Sequence, residues 1–309
     1  MIYLLAPISF VVSIILMPIL RRLGIKYKLI DRPGEFKIHE REISYLGGWG
    51  IWFGFTAAII FAGIFQLATF YRLMGLSLGG LVVLMLGFWD DLKWKSEGRP
   101  FIKLILQFLV AFFIVFILLK IGINLQFTIN HVVATLIIAF YVAGSMNAIN
   151  MEDGMDGLAG SLAIISLIGF SVIALTSHYL FMFAIVLSAI GSLSAFLIYN
   201  WHPASIFMGD SGSHFIGFLL AVLAITFTSF PFYNLKQFIG PILIIGLPVV
   251  DVIWVILRRL KERKLPFIGD RKHLYDRIHQ KGIGVPRTVL ICCGIQIVLV
   301  AAGIIIYNL

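Results

Sequence analysis

Long apolar stretches separated by short polar segments run through the whole chain. Ten stretches carry few charges, and they lie at about residues 2–20, 46–66, 71–88, 102–121, 128–147, 158–176, 179–198, 213–231, 237–257 and 288–307. A helix needs about 20 mostly apolar residues to cross the hydrocarbon core of a bilayer. The pattern therefore predicts an all-α integral membrane protein of about ten transmembrane helices, with residues 1–309 forming one domain.

The composition agrees with this interpretation. Hydrophobic residues make up 60% of the 309 residues and charged residues 13%, whereas soluble domains have about 45–50% and about 25%. The mean hydropathy is strongly positive, at +1.01. These values exclude a soluble globular domain and a disordered chain. The net charge of +9 would suggest nucleic acid in a soluble protein, but basic loops are ordinary in membrane proteins, so no nucleic-acid partner is predicted.

The charges are distributed unevenly between the two sides of the predicted bundle. The loops after the first, third, fifth, seventh and ninth stretches, here called the odd loops, hold 21 of the 24 Lys and Arg residues; the exceptions are Arg72, Lys120 and Lys236. This bias predicts that the odd loops are cytoplasmic and that both termini lie outside. All 15 Asp and Glu residues also lie in the odd loops or at their membrane edges. Because acidic residues barely affect orientation, their position indicates a polar reaction site on the cytoplasmic face.

The third odd loop is dense in amide and carboxylate side chains. Asn147 and Asn150 are three residues apart, as are Asp153 and Asp156, so each pair shares a face if the segment is helical. Such hard oxygen ligands suit Mg²⁺ and the phosphates that it binds. The alternative is a polar turn between two helices, in which Asn and Asp serve only as caps.

The fourth odd loop, residues 200–213, contains Asp210 between Gly209 and Ser211, just before an apolar stretch. A metal carboxylate or a phosphate site at a helix N-terminus would suit this position, and so would an ordinary helix cap. The second odd loop begins with Asp90 and Asp91, which repel each other unless a cation or proton is shared. A solvated helix end is the alternative there.

The remaining odd loops are basic. Residues 37–41 include His39, and residues 271–277 include His273. Basic clusters beside a membrane commonly bind lipid headgroups or only set the topology. Lys103 could reach a phosphate or extend to the membrane interface. Asp251 differs from these residues because an ionisable group at membrane depth is expected to be functional.

Two other classes of function compete with a membrane enzyme. A cation-coupled or proton-coupled transporter would use the carboxylates as a relay, but transporter sites lie near the bilayer midplane between repeated halves. Here the acids lie at one membrane edge, and the sequence has no internal repeat. A non-catalytic scaffold would not need its carboxylates on one face. The pattern therefore favours Mg²⁺-dependent chemistry between a phosphorylated soluble substrate and a lipid.

Taken in order, these loops resemble those of the polyprenyl-phosphate N-acetylhexosamine-1-phosphate transferase family. Two motifs carry the resemblance: Asn-x-x-Asn-x-x-Asp-Gly-x-Asp-Gly at 147–157 and Asn-x-x-Pro-Ala-x-x-Phe-Met-Gly-Asp-x-Gly-Ser at 200–213. Asp90-Asp91 followed by Lys103-Leu-Ile-Leu-Gln107 is similar to the family's second loop. The resemblance implies that HexNAc 1-phosphate, with GlcNAc 1-phosphate favoured, is transferred from a UDP-sugar to undecaprenyl phosphate. UMP leaves, and the product starts a cell-envelope glycan such as lipopolysaccharide or teichoic acid.

The resemblance also implies roles for individual residues. Asp210 and Asn150 would bind Mg²⁺, with Mn²⁺ as an alternative, and Asp153 would lie near the metal or the nucleotide. Asp90, with Asp91 beside it, would orient or deprotonate the acceptor phosphate. Together with Lys103 and His273, these five residues would form the catalytic and metal-binding group.

Further residues would hold the substrates. Lys103 and His273 would bind phosphate groups, Asp156 and Asn200 would hydrogen-bond the uridine, and Phe207 would stack on the uracil. The implied partners are the UDP-sugar, undecaprenyl phosphate and membrane lipid. The resemblance implies a multi-pass protein of the cell inner (plasma) membrane with its active site on the cytoplasmic face, and it allows a homodimer.

The last odd loop bears on the choice of donor. In the branch that makes the peptidoglycan lipid precursor, this loop has a run of histidines followed by Phe-Glu, whereas here it reads His273-Leu-Tyr275-Asp276-Arg277. We expect Tyr275 and Asp276 to face sugar hydroxyls. A second departure is Ile43-Ser44 in the first loop, where the family commonly has Pro. A UDP-HexNAc donor is favoured, and a phospho-MurNAc-pentapeptide transferase is the alternative.

Overall fold

The computed structural model describes residues 1–32, 41–94, 100–120, 131–228, 234–263 and 272–309. Twelve helices occur in these ranges: α1 (Leu5–Lys26), α2 (Gly47–Ile64), α3 (Phe70–Trp89), α4 (Pro100–Lys120), α5 (His131–Glu152), α6 (Leu158–Thr176), α7 (Leu180–Asn200), α8 (Gly209–Thr226), α9 (Leu235–Ile245), α10 (Leu247–Lys261), α11 (Leu274–His279) and α12 (Val285–Asn308). One small antiparallel sheet, β1 (Ile30–Asp31) and β2 (Ile43–Ser44), is also present in the described part of the chain.

Most of these helices are long and apolar enough to cross a bilayer. Within the described residues, eight helices meet that requirement individually: α1, α2, α3, α5, α6, α7, α8 and α12. Helix α4 has a shorter described apolar part, Phe101–Ile117, and α9 and α10 together could form one further span. Large apolar side chains such as Phe113, Phe140 and Val298 are exposed on the outside of the bundle, as a lipid-facing surface requires. The predicted all-α membrane architecture is confirmed.

Helix α8 lies at the centre of the bundle and packs against α2, α3 and α5. Nearly all of its residues are buried, and Phe215 makes an edge-to-face contact with Phe55 of α2 at 5.5 Å between ring centres. At its N-terminus α8 is crossed very closely by α3. A Cβ on Gly87 would lie 2.3 Å from the backbone oxygen of Asp210, so only glycine allows this approach.

The ninth apolar stretch is broken, so the prediction of one continuous helix over 237–257 is wrong. Helices α9 and α10 meet at Gly246 with a bend of 87°. Gln296 of α12 binds the backbone at the break: its Oε1 accepts from the Leu247 N–H at 2.8 Å, and its Nε2 donates to the Ile244 and Ile245 carbonyls at 2.9 and 3.2 Å. A side chain of α12 therefore replaces the hydrogen bonds that the helix loses, as a break inside a bilayer requires.

The described parts of the odd loops come together at one end of the bundle. Strand β2 contacts the loop between α7 and α8, because the Phe207 N–H donates to the Ser44 carbonyl at 2.8 Å. After α3 the chain makes a π-helical turn, Asp90–Trp94, and α4 begins at Pro100. The α5–α6 turn and the short helix α11 also meet, since the Tyr275 hydroxyl donates to the Met151 carbonyl. This end of the bundle carries the candidate site.

Candidate active site

The centre of the site is the ammonium group of Lys103, in the first turn of α4. Its Nζ forms ion pairs with Asp90 Oδ2 and with Asp210 Oδ2, the latter at 3.2 Å. The other oxygen of Asp210, Oδ1, accepts from Asn150 Nδ2 at 2.8 Å, and the same amide nitrogen donates to the Ser213 hydroxyl at 2.9 Å. Four helical segments that are distant in sequence therefore meet in one hydrogen-bonded cluster.

The π-helical turn buries two adjacent carboxylates together. Asp90 and Asp91 are only 4% and 6% exposed, and Asp91 Oδ2 accepts from the Ser211 N–H of α8 at 3.3 Å. π-helical turns are rare in proteins, and a large share of those that occur lie at functional sites. Gly209 precedes Asp210 with φ +71°, and a Cβ there would lie 2.8 Å from Asp91 Oδ2. A glycine is therefore needed for the chain to turn into α8 beside Asp91.

The electrostatics of this cluster favour a cation together with anionic phosphates. Asp90 and Asp210 pair with one ammonium, Lys103, and Asp91 adds a third carboxylate at the first turn of α8 through the Ser211 N–H. The N-terminus of α8 points its backbone N–H groups into the same region, and a helix N-terminus favours negative ligands. The site can therefore bind a divalent cation through its carboxylates and hold phosphate oxygens through Lys103 and α8.

The oxygen ligands of this site suit an Mg²⁺ ion that is bound partly by the protein and partly by the substrate. Within the described residues, no three His, Cys, Asp or Glu side chains converge as a metal-binding group. Mg²⁺ does not require such a cage, because it is commonly bound by one or two carboxylates, water and substrate phosphates. Asp90 and Asp210, which share Lys103, supply two carboxylates. Asn150 turns its amide nitrogen toward Asp210, so its carbonyl oxygen is the atom that could bind a cation.

The residues expected to contact uridine lie along the loop between α7 and α8. Asp156 Oδ2 pairs with His202 Nδ1 at 2.9 Å and accepts from the Ala204 N–H at 3.0 Å. Asn200 is buried, and both ends of its amide bind backbone: Oδ1 accepts from Gly157 N–H and Nδ2 donates to the Ile206 carbonyl, each at 3.0 Å. Asn200 therefore shapes the loop in this structure.

Phe207 and Asp153 are the two other residues that the resemblance placed near the nucleotide or the metal. Phe207 is half-buried, and its backbone bonds to Ser44 and Gly47 hold it beside the first loop. Helix α5 ends at Glu152, so Asp153 lies in a non-helical turn and does not share a helix face with Asp156. The sequence argument assumed a continuous helical turn there. Nucleotide contacts by these residues stay a prediction.

His273 lies in a second buried group, next to the C-terminal end of α5. Its Nδ1 is 2.5 Å from Asp251 Oδ2, and Asp251 Oδ1 accepts from the Leu274 N–H at 2.9 Å. The His273 ring stacks on Tyr275 with ring centres 5.6 Å apart. The sequence indicated Asp251 only as an ionisable group at membrane depth. The structure shows that it pairs with His273.

Tyr275 and Asp276 bond to the protein's own backbone in this structure, and their contact with sugar hydroxyls stays a prediction. The Tyr275 hydroxyl donates to the Met151 carbonyl at 3.2 Å, and Asp276 accepts from the His273 N–H at 3.4 Å. Burial, and then the nearby Asp276 carboxylate, raise the pKa of Tyr275 well above its ordinary value, so the phenol stays a neutral donor. Both groups hold α11 in place, because each bonds to the protein's own backbone.

The sequence argument gave no role to three polar residues near the site. Glu152 is fully buried at the end of α5, and Gln107 and His214 are hydrogen-bonded one turn deeper in the bundle. For Gln107 and His214 the available signal was a polar residue inside an apolar stretch, whereas Glu152 lies in the polar loop at 147–157. The basic segments of the first and last odd loops, including Lys37, His39 and Arg271, lie outside the described residues.

Comparison with known proteins identifies relatives along most of the chain. Residues 73–228 match the family described as glycosyl transferase family 4. The chain is 31% identical over 294 residues to the probable undecaprenyl-phosphate N-acetylglucosaminyl 1-phosphate transferase of Bacillus subtilis, covering 92% of this chain and 80% of the relative. It is 30% identical over 298 residues to the decaprenyl-phosphate N-acetylglucosaminephosphotransferase of Mycobacterium leprae, covering 86% and 74%.

A relative with a different donor is also similar. The phospho-N-acetylmuramoyl-pentapeptide-transferase of Streptococcus thermophilus is 32% identical over 243 residues, covering 70% of this chain and 69% of the relative. The N-acetylglucosaminyl relatives therefore match over more of this chain than the muramoyl-pentapeptide relative does.

Proposed function

Because the chain belongs to glycosyl transferase family 4, we propose that it transfers N-acetylglucosamine 1-phosphate from UDP-N-acetylglucosamine to undecaprenyl phosphate. An oxygen of the acceptor phosphate forms a bond to the sugar-bearing phosphorus. The bond from that phosphorus to the oxygen that bridges it to UMP breaks, and UMP leaves. The observation that carries this proposal is the Lys103 ammonium held between Asp90 and Asp210 beside the N-terminus of α8.

This geometry suits phosphoryl transfer, in which positioning and charge neutralisation do most of the work. A phosphate monoester has a second pKa of about 6, so the acceptor is mostly ionised at neutral pH and needs orientation more than proton removal. Asp90 orients the acceptor phosphate through Lys103, which binds the phosphate when one carboxylate is displaced. Asp91 supports this arrangement by holding the first turn of α8 through Ser211.

Asp210, Asp90 and the Asn150 carbonyl are the groups that would hold Mg²⁺, with Mn²⁺ as an alternative. The ion, when bound with the donor, would neutralise charge on its diphosphate. Asp156 and Phe207 contact the nucleoside, while Asn200 keeps the loop between α7 and α8 in shape. His273, oriented by Asp251, binds a phosphate group from the side of α11.

We place the reaction on the cytoplasmic face of the cell inner (plasma) membrane. The site lies at the end of the bundle formed by the odd loops, which carry 21 of the 24 basic residues. Basic residues concentrate in cytoplasmic loops. A soluble UDP-sugar would reach the site from that side, and the lipid would enter from the bilayer.

The direct test uses purified protein with UDP-N-acetylglucosamine, undecaprenyl phosphate and Mg²⁺. UMP release and a lipid-linked diphosphate sugar, identified by mass spectrometry, are expected. Lys103→Met should lose at least about a hundredfold in rate, because it removes a cation that faces the reacting charge. Lys93→Met is the matched control: it removes a lysine of the same loop whose ammonium lies 4.3 Å from the centre of the Trp89 ring. The absence of UMP release from UDP-sugars with any polyprenyl phosphate would refute the proposal.

A further inference from the structure

A second set of polar side chains lies one helical turn deeper than the candidate site. Three of the helices that supply site residues each carry one more polar residue three or four positions away: Gln107 follows Lys103 on α4, His214 follows Asp210 on α8 and Asn147 precedes Asn150 on α5. This spacing places each pair on the same helix face. We call Gln107, Asn147 and His214 the polar layer.

The polar layer forms a hydrogen-bonded chain with a fixed direction. Asn147 Nδ2 lies 2.8 Å from the Ala143 carbonyl, which can only accept, so this atom is a donor. The same nitrogen donates to Gln107 Oε1 at 2.7 Å, which leaves Gln107 Nε2 to donate to His214 Nε2 at 3.0 Å. His214 therefore accepts at Nε2, and its ring proton lies on Nδ1. Backbone geometry on α5 thus determines the tautomer of a histidine on α8.

Stability alone does not account for this layer. Gln107 and His214 are completely buried, and within the described residues His214 Nδ1 has no hydrogen-bond partner. Polar pairs between membrane helices contribute little net stability, and replacing both partners of a buried pair by apolar groups can be neutral or stabilising. The apolar alternative would also avoid an unpartnered N–H. The polar layer is therefore better explained by the helix alignment that its hydrogen bonds require than by a contribution to the free energy of folding.

We infer that the polar layer sets the register of α4, α5 and α8, and so holds Lys103, Asn150 and Asp210 in contact. Apolar contacts between two helices tolerate a small slip of one helix along its axis, whereas hydrogen bonds between the helices do not. A slip of one residue moves a helix by about 1.5 Å and rotates its side chains by about 100°, which would break contacts of 2.7–3.0 Å. Gln107 and His214 are then positioning residues for the reaction. The consequence for turnover rests on the proposed function.

The test compares Gln107→Leu/His214→Leu, His214→Leu alone and His214→Gln. The double variant removes both partners of the Gln107–His214 bond, and Asn147 keeps its bond to the Ala143 carbonyl. The protein should therefore remain folded, with a melting temperature in detergent near that of the wild type. Its kcat should fall at least tenfold, while KM for UDP-N-acetylglucosamine should change less than twofold. His214→Gln retains a side-chain oxygen that can accept from Gln107, so it should recover most of the activity that His214→Leu loses. Ser145→Ala is the control: it removes a buried α5–α8 hydrogen bond outside the polar layer, to the Gly217 carbonyl at 2.8 Å, and its kcat should stay near that of the wild type.

A second measurement reads the register without using activity. Asn150→Cys and Ser213→Cys, in a background with Cys292→Ala and Cys293→Ala, should form a disulfide on oxidation because the native side chains are in contact. Adding the double leucine substitution should reduce the yield of that disulfide several-fold.

Unchanged cross-linking would overturn the register claim, and an unchanged kcat would overturn the positioning claim. If the double variant does not fold, both kcat and disulfide yield are compared between His214→Leu and His214→Gln, and equal values in the two variants would overturn both claims. If the wild type releases no UMP, the proposed function fails while cross-linking still decides the register.

Discussion

Asp210→Asn separates the chemistry of the site from its folding. The Asp210 carboxylate accepts from Asn150 at 2.8 Å and pairs with Lys103 at 3.2 Å. Asparagine has nearly the same shape, and its one carbonyl oxygen can keep one of these contacts. Lys103 also keeps its ion pair with Asp90. The cost to folding should therefore be limited to the weakening of charged hydrogen bonds, about 1–3 kcal/mol.

The effect on turnover should be much larger. Two unit charges about 4 Å apart interact by about 4 kcal/mol at the effective dielectric constant typical of a protein surface. If Asp210 faces a bound cation or neutralises the site during transfer, losing its charge removes an interaction of this size. Each 1.36 kcal/mol corresponds to a tenfold change in rate, so the expected loss is about a thousandfold or more.

The assay is UMP release at saturating Mg²⁺, normalised to the amount of monodisperse protein. Glu42→Gln is the control, because it neutralises a carboxylate of the same set of loops that is 57% exposed and lies 3.6 Å from Arg32. The control should retain nearly full turnover. Near-normal turnover of Asp210→Asn would exclude Asp210 from the reacting centre, and failure to accumulate would show that its charge serves folding.

Three further predictions concern topology, packing and donor choice. In a background without native cysteines, Ser205→Cys should be inaccessible to an impermeant reagent added outside intact cells, and Leu309→Cys should be labelled; the reverse pattern would invert the proposed orientation. Gly87→Ala should lower both yield and activity, because its Cβ would lie 2.3 Å from the Asp210 carbonyl, whereas Gly144→Ala meets nothing within 4 Å and should resemble wild type; equal behaviour of the two would contradict the close α3–α8 contact. UDP-MurNAc-pentapeptide should give no turnover under conditions where UDP-N-acetylglucosamine is used, and use of the pentapeptide donor alone would reassign the donor without changing the phosphoryl transfer.

Apolar spacing predicted the helices well where a stretch is uninterrupted. The stretch at 158–176 matches α6, Leu158–Thr176, and the resemblance to a family of membrane transferases is confirmed. The break at Gly246 was not predicted, because membrane helices tolerate glycine and proline without breaking. Gln296, which hydrogen-bonds the backbone groups at the break, lies on another helix. No local sequence pattern connects its position with Gly246.

The charge distribution predicted which loops meet, but not which atoms pair. Placing all odd loops on one face brings Asp90, Asn150 and Asp210 to the same end of the bundle. The pairing of Lys103 with two carboxylates could not be predicted, since a lysine at a membrane edge commonly extends to the interface. The backbone contacts of Tyr275 and Asp276 could not be predicted either. A hydroxyl or carboxylate can bond to substrate or to backbone, and its residue type does not distinguish the two.

The bridged break between α9 and α10 has a consequence for how this protein is made. While the chain is being inserted into the membrane, α9 and α10 emerge before α12. Until α12 arrives, the Ile244 and Ile245 carbonyls and the Leu247 N–H lack the Gln296 amide that satisfies them. The bent segment therefore reaches its final form only after a later segment has entered the bilayer. Since Asp251 on α10 contacts His273, this part of the candidate site depends on a helix that enters the bilayer after α9 and α10.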